Sequence, residues 1–241
     1  MIVQIYAFTK IEEALAAAEM GVDQVGFIAG KYGIVHGELD FAEARALAAA
    51  LPPTVRRVAL TMSADPAEIL RMAAAVEPDI VHISTEPEEV DLETMRLLRR
   101  QLPGHIGLMK AVPVDDEGSV TLALRYAAVS DLLLLDTSVK GMPGVGATGR
   151  THDWEISRRI VELSEVPVIL AGGLGADNVA EAIAAVQPWG VDSNTLTNKP
   201  GSPLEKDLAR IAAFVAAARK AAPEPLAQPS RGGAKGVEGT A

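Results

Sequence analysis

Short apolar runs alternate along the chain with longer segments in which apolar residues recur every three to four positions. The short runs predict β-strands, and the longer segments predict helices with one apolar face. The first strand and helix are predicted at 2–6 and 11–20. The other pairs are 24–28 with 41–51, 55–60 with 66–76, 80–83 with 92–102, 106–110 with 119–128, 132–135 with 154–163, 168–170 with 176–185, and 190–192 with 204–220. Eight such pairs predict an α/β protein, a single (βα)8 TIM barrel over 1–221; an open doubly wound sheet is the alternative.

Residues 222–241, which read APEPLAQPSRGGAKGVEGTA, depart from this pattern. They are poor in apolar residues and rich in proline and glycine, so they cannot bury enough surface to pack. We therefore expect a disordered C-terminal tail after a one-domain barrel.

Composition and charge exclude several kinds of function. A formal net charge of -10 and a pI near 4.9 argue against a nucleic-acid partner, because binding phosphates requires a basic face. The absence of cysteine excludes disulfides, a thiolate nucleophile and cysteine-bound metal. The four histidines show no ligand spacing, so no metal site is predicted. No apolar run is long enough to span a membrane and no signal-peptide pattern is present, so we expect a cytoplasmic protein.

Candidate catalytic residues lie where predicted strands end, because side chains at the carboxyl ends of barrel strands line the pocket. Asp136, which ends the apolar run LLLLD, is the strongest candidate. Tyr6, His82 and Lys110 hold similar positions in the first, fourth and fifth strands. Each has a structural alternative: Tyr6 could pack in the barrel, His82 could be a hydrogen-bonded core histidine, and Lys110 could pair with an acid such as Asp136.

The loops after the seventh and eighth strands are candidate phosphate sites, as they are in many barrels. Gly172 and Gly173 follow the seventh strand, where glycine lets backbone amides approach an anion closely. Polar residues that could complete the site follow in the eighth strand and its loop: Asp192, Ser193, Asn194 and Thr195. Gly149 belongs to a glycine-rich segment, GATG at 146–149, which we interpret as a lid that contributes to substrate binding.

Several motifs, in this order, resemble those of the phosphoribosylanthranilate isomerase family. They are QIYAFT at 4–9, MKAV at 109–112, LLLLDT at 132–137, GATGRTHDW at 146–154, ILAGGLGADNVAEAI at 169–183 and GVD at 190–192. The resemblance covers 2–214 and implies a barrel that rearranges an aminoaldose phosphate to an aminoketose without a cofactor. It also implies that Asp136 is the general acid. Monomer and homodimer both remain open.

Three positions differ from the family pattern. Tyr6 occupies the place of the family's cysteine base, and a tyrosine with a pKa of about 10 is a poor base unless a cation such as Lys110 lowers that pKa. The loop GKYGIVHGELDF at 30–41 carries Lys31 and His36 where the family has an arginine suited to the anthranilate carboxylate. Leu196 stands where the family has a glycine beside the phosphate.

Three functional hypotheses follow for a small phosphorylated substrate. The first is an isomerase of the Amadori type, with Asp136 as acid and His82 or Tyr6 as base, acting on phosphoribosylanthranilate or on another phosphorylated sugar. The second is a lyase or aldolase in which Lys110 forms a Schiff base. The third is a barrel that binds a phosphosugar without catalysis.

Overall fold

The strands form a closed parallel barrel in the computed structural model, which describes residues 1–137, 144–145 and 151–222. The eight barrel strands are β1 (Ile2–Ile5), β2 (Gln24–Ala29), β4 (Arg56–Thr61), β5 (Ile80–Ile83), β6 (Gly107–Pro113), β7 (Leu132–Asp136), β8 (Val168–Leu170) and β9 (Gly190–Ser193). Each pairs with the next, and β1 closes the ring by pairing with both β2 and β9. A two-residue strand that was not predicted, β3 (Glu38–Leu39), pairs with β2 outside the ring. The predicted (βα)8 barrel is therefore confirmed.

Helices connect the strands and cover the outside of the barrel. They are α1 (Ile11–Glu19), α2 (Phe41–Ala50), α3 (Pro66–Val76), α4 (Leu92–Gln101), α5 (Gly118–Ala127), α6 (Trp154–Leu163), α7 (Val179–Val186) and α8 (Leu208–Ala221). The predicted start of the last helix at 204 was wrong. Asp207 accepts hydrogen bonds from the backbone N–H groups of Ala209 and Arg210, so this carboxylate caps the helix and sets its start.

Two apolar layers result from the alternation of side chains along each strand. Outward residues such as Val25, Val81 and Leu108 pack against the helices in one continuous cluster. Inward residues such as Val58 and Met109 fill the barrel in a second cluster. This alternation decides which side chains can reach a site inside the barrel.

Three predicted features lie outside the described residues: most of the C-terminal tail, the GATG segment and Gly149. None of the described helices combines the length and the apolar composition that crossing a bilayer requires. Within the same residues, no three His, Asp or Glu side chains lie close enough together to hold a metal ion.

Candidate functional site

A cavity of about 380 Å³ opens at the carboxyl ends of the barrel strands. Its polar lining includes Tyr6, His82, Asp136, Asp192, Asn194 and Thr195. Much of the remaining wall is apolar and includes Ile28, Leu60, Met62, Leu134 and Val145. Six predicted site residues therefore meet in one place: Asp136, Tyr6, His82, Asp192, Asn194 and Thr195.

Asp136 and Asp192 lie in the same register row of the sheet, on strands separated by one other strand. Leu135 on β7 pairs with Leu170 on β8, which pairs with Val191 on β9. The next inward-facing row is therefore Asp136, Ala171 and Asp192. Because Ala171 contributes only a methyl group, the space between the two carboxyl groups stays open.

Asp192 is a buried carboxyl group with one hydrogen-bond donor. Its Oδ1 accepts a hydrogen bond from Gln4 Nε2 at 3.1 Å, and the residue is 6% exposed. Burial, the largest cause, and the nearby charge of Asp136 together raise the pKa of Asp192 to about 8, against the Gln4 hydrogen bond and the charge of Lys206, which lower it. At neutral pH Asp192 is therefore mostly protonated.

Asp136 is held by its neighbour in the chain. Its Oδ1 accepts a hydrogen bond from the backbone N–H of Thr137 at 2.7 Å and another from Thr137 Oγ1 at 3.3 Å. Donors placed on a carboxyl oxygen favour the ionised form. These contacts fix the carboxylate at the end of β7, where it lines the cavity.

Tyr6 and His82 form a hydrogen-bonded pair inside the barrel. The Tyr6 hydroxyl lies 2.9 Å from His82 Nδ1, and both residues are almost fully buried. Burial raises the pKa of Tyr6 well above 10 and lowers that of His82 to about 3, the latter with a smaller contribution from Lys110. Both rings are therefore neutral near pH 7, and neither is poised to act as a general base. His82 Nε2, which has no partner among the described residues, remains able to bond a ligand.

The Tyr6 ring lies against Gly26 on the neighbouring strand β2. A Cβ atom at position 26 would lie 2.3 Å from Cδ1 and Cε1 of Tyr6, far closer than two carbon atoms approach. The missing side chain of Gly26 is therefore what makes room for the tyrosine.

Gly26→Ala is expected to lower the free energy of unfolding by about 1–3 kcal/mol, because the methyl group would displace the Tyr6 ring from a packed barrel. The cost should be smaller in a Tyr6→Ala background, where this clash is absent. Denaturant unfolding of the four chains measures the coupling. Gly104→Ala is the control, since a Cβ there meets nothing within 4 Å. Equal losses of unfolding free energy in Gly26→Ala and Gly104→Ala would contradict the contact between Gly26 and the Tyr6 ring.

Lys110 does not reach the cavity, so its predicted catalytic position was wrong. Strand β6 runs from Gly107 to Pro113, three residues further than predicted, and its inward residues are Met109 and Ala111. Lys110 points outward, where Nζ donates to the Thr85 carbonyl at 2.6 Å and lies 5.4 Å from the centre of the Tyr126 ring. It is thus unavailable for a Schiff base in the cavity. Burial lowers its own pKa to about 7, and its charge is not directed at Tyr6.

The predicted phosphate residues divide into two groups. Asn194 and Thr195 line the cavity. Ser193 points outward instead, because residues two apart on a strand face the same side and Val191 faces the helices. The Ser193 Oγ donates to the Leu174 carbonyl at 2.6 Å. The Ser193 side chain therefore ties the two loops together rather than facing a ligand.

Gly172 and Gly173 both adopt positive φ angles, 86° and 61°, in the turn after β8. This left-handed backbone explains the glycine pair, since residues with a side chain rarely adopt it. Neither glycine lines the cavity within the described part of the chain. Leu196 lies over the same turn: a Cβ at Gly175 would be 3.1 Å from Leu196 Cδ1.

The second loop brings His36 but not Lys31 to the cavity. His36 lines its wall together with Ile34 and Val35. Lys31 turns away and pairs with Glu43 at 2.7 Å. His36 is therefore the described residue of this loop that can meet a polar group of a ligand.

Sequence reasoning missed Lys206, a buried lysine behind the cavity. Its Nζ donates to the Tyr6 carbonyl and to Asn198 Oδ1, the latter at 2.6 Å, and it also contacts Asn194 Oδ1 at 3.2 Å. The available signal was its place in the segment Pro200–Asp207, which follows the last strand and forms part of the resemblance.

Comparisons with known proteins agree with this architecture. The family model described as N-(5'phosphoribosyl)anthranilate (PRA) isomerase matches residues 3–217. A relative from Halobacterium salinarum named N-(5'-phosphoribosyl)anthranilate isomerase is 36% identical over 225 residues, covering 92% of this chain and 97% of its own. One from Methanocella arvoryzae with the same name is 34% identical over 215 residues, covering 88% and 95%.

Solved structures give the same result. Phosphoribosyl anthranilate isomerase from Thermotoga maritima has a TM-score of 0.77 at 30% identity, over 91% of this chain and 100% of its own. A phosphoribosyl anthranilate isomerase in complex with reduced 1-(o-carboxyphenylamino)-1-deoxyribulose 5-phosphate has a TM-score of 0.75 at 28% identity, with the same coverage. With barrel, cavity and sequence all in agreement, the chain belongs to the phosphoribosylanthranilate isomerase family and is an isomerase.

Proposed function

We propose that this protein catalyses a cofactor-free Amadori rearrangement of a phosphorylated aminoaldose, with phosphoribosylanthranilate as the first substrate to test. The observation that carries the proposal is the pair of carboxyl groups, Asp136 and Asp192, which line one cavity from the same register row of the sheet. The names of the relatives support the reaction class and the leading substrate.

The rearrangement requires two proton transfers, at two atoms that are both bonded to C1. An acid protonates the ring oxygen as the furanose opens, and a base removes the proton from C2. Two carboxyl groups in different protonation states can perform both transfers. Their backbones are two strands apart, roughly 10 Å, and the side chains converge from there toward the barrel interior. This spacing leaves room for a sugar ring between them.

The shape of the cavity suits a substrate with an apolar half. Its volume of about 380 Å³ lies in the range of small-molecule sites. Ile28, Leu60 and Met62 form one wall, which can pack against an aromatic ring. His36 stands at the edge of this region and can meet a polar substituent on that ring. His82 Nε2 supplies a hydrogen-bonding group for a sugar hydroxyl.

The phosphate would lie at the loops that follow β8 and β9. Asn194 and Thr195 face the cavity there. Gly172 and Gly173 are not among the described residues that line the cavity, but their turn follows β8 directly, and a phosphate that extends to it would meet backbone amides without a side chain in front of them. Because Leu196 packs over Gly175, the phosphate would bind on the cavity side of this leucine rather than across the turn that it covers.

Turnover of phosphoribosylanthranilate labelled with ¹³C at C2 of the ribose tests the proposal. Carbon NMR should show the C2 signal moving to the ketone region in the presence of the enzyme and not with buffer alone. The substrate without its phosphate should have kcat/KM lowered at least tenfold if the loops after β8 and β9 bind that group.

Two outcomes would count against the proposal. Equal kcat/KM values with and without the phosphate would contradict the phosphate site. Binding of phosphoribosylanthranilate without any turnover, at every pH from 5 to 9, would instead favour the phosphosugar-binding hypothesis for this substrate. Calorimetry with the same compound distinguishes such binding from a complete lack of recognition.

A further inference from the structure

We propose that Asp192 is a catalytic residue that gives its proton to the ring oxygen of the substrate, while Asp136 acts as the base at C2. This inference rests on the proposed function and deepens it. It reverses the role that the family resemblance implies for Asp136 and assigns the second catalytic group, which the replacement of the cysteine by Tyr6 leaves open.

The other described candidates for the second group fail on geometry or charge. Lys110 lies outside the barrel wall, with its ammonium group on the Thr85 carbonyl. Tyr6 and His82 are bonded to each other and buried, a setting that disfavours the tyrosinate and the imidazolium alike. Asp136 and Asp192 are the two carboxyl groups among the described residues that line the cavity.

Hydrogen bonding favours the proton on Asp192 rather than on Asp136. Among the described residues, Thr137 donates two hydrogen bonds to Asp136 Oδ1, and Gln4 donates one to Asp192 Oδ1. Two carboxylates that line one cavity repel each other, which favours a proton on one of them. The raised pKa of Asp192 agrees with this assignment.

The groups around Asp192 do not change this conclusion. Tyr6 and His82 face it as neutral rings. Among the described residues, Lys206 is a cation whose charge acts on Asp192, but its Nζ bonds to oxygens of Tyr6, Asn194 and Asn198 rather than to Asp192. Its charge lowers the pKa of Asp192 less than burial raises it.

The proposed steps balance without an added reagent. Asp192 protonates the ring oxygen as the bond between that oxygen and C1 breaks, and the nitrogen lone pair forms a C1=N double bond. Asp136 takes the proton from C2, the electron pair of that bond forms C1=C2, and the C1=N electrons return to nitrogen. C1 then takes the proton from Asp136, and the hydroxyl proton on O2 passes to Asp192, whose first proton stays on the former ring oxygen. C2 is oxidised, C1 is reduced, and both carboxyl groups regain their starting states.

The test compares Asp192→Asn, Asp192→Glu and wild type with phosphoribosylanthranilate across pH 5 to 9.5. In the wild type, kcat/KM should fall as pH rises through about 8, because the acid loses its proton. Asp192→Asn should lower kcat at least 100-fold and abolish that fall, and Asp192→Glu should restore part of kcat together with a fall at a different pH. A residue that only binds substrate would change KM and leave the high-pH limb in place.

Thermal unfolding shows whether the variants fold. A carboxyl group whose pKa is raised in the folded state stabilises the fold at low pH and loses this contribution as pH rises from about 4 to about 8. The melting temperature of Asp192→Asn should therefore fall less over that window than that of wild type.

Asp131→Asn is the matched control, because Asp131 lies before β7, at the opposite end of the barrel, and should keep wild-type kcat.

The outcomes separate the two proposals. If wild type does not turn over phosphoribosylanthranilate, the proposed function fails for this substrate. If wild type is active and Asp192→Asn keeps kcat within threefold, or keeps the high-pH limb, the assignment of Asp192 is overturned while the function stands.

Discussion

Asp136→Asn is expected to lower kcat for phosphoribosylanthranilate by about 10³-fold, the middle of the range for removing a general acid or base. An amide cannot accept the C2 proton. The amide oxygen can still accept the hydrogen bonds from Thr137 N and Oγ1, so the end of β7 should keep its geometry. The loss should therefore appear in kcat rather than in folding. Steady-state kinetics together with the melting temperature measure both.

Asp131→Asn is again the appropriate control, because it makes the same chemical change at the other end of the same strand. Asp131 Oδ2 accepts a hydrogen bond from Leu108 N at 2.8 Å, and Arg99 pairs with the carboxylate. These contacts are remote from the cavity. A variant at position 136 that kept more than a tenth of wild-type kcat would rule out Asp136 as the residue that moves the C2 proton.

The barrel could be predicted because its periodicity is local. Each strand of 3 to 7 residues and each following helix has its own hydrophobic pattern, and right-handed connections leave few ways to arrange eight such units. The starts of α7 and α8 were less predictable, because the segments before them continue a helical pattern of residues. In the case of α8 the Asp207 cap decides where the helix begins.

The direction of side chains on a fully buried strand could not be read from the sequence. Strand β6 is apolar on both faces, with Leu108 and Val112 outward and Met109 and Ala111 inward. Hydrophobicity therefore does not show which of its residues face the barrel interior. Lys110 appeared to end the strand because it is charged. The strand in fact continues to Pro113, and the lysine lies on the helix side.

That Asp136 and Asp192 line the same cavity likewise could not be read from the sequence. They are 56 residues apart in the sequence, and their alignment follows from the registers of β7, β8 and β9. The sequence suggested that Asp192 binds phosphate because it precedes a polar loop. Its burial and its place in the same register row as Asp136 support the role at the sugar that we propose for it.

The packing of Tyr6 depends on residues from several other elements of the chain. Its ring occupies the space above Gly26, and its hydroxyl bonds to His82. The backbone carbonyl of the same residue accepts from Lys206. The tyrosine is thus held on three sides, so its replacement of cysteine is part of a packed arrangement rather than an isolated change.

Lys206→Met is expected to lower the free energy of unfolding by about 3 kcal/mol at pH 9, because Tyr6 O and Asn198 Oδ1 lose a buried donor. Methionine has a side chain of similar length without the amino group, so the loss reports the contacts of Nζ, including its position 5.6 Å from the centre of the Phe8 ring. At 2–4 °C per kcal/mol for a chain of this size, the melting temperature should fall by roughly 6–12 °C.

The pH dependence of this loss distinguishes a buried lysine from a surface one. Burial lowers the pKa of Lys206 to about 7, so between pH 7 and the ordinary lysine value the unfolded chain holds a proton that the folded chain does not. Wild type therefore gains stability as pH rises through this window, and Lys206→Met lacks that gain. The difference in free energy of unfolding between wild type and Lys206→Met should therefore widen from pH 7 to pH 9. Lys199→Met, at an exposed lysine paired with Glu205, should cost under about 0.5 kcal/mol at either pH. If the difference in free energy of unfolding between wild type and Lys206→Met stayed constant with pH, it would contradict a buried, largely neutral amine that joins β1 to the loop after β9.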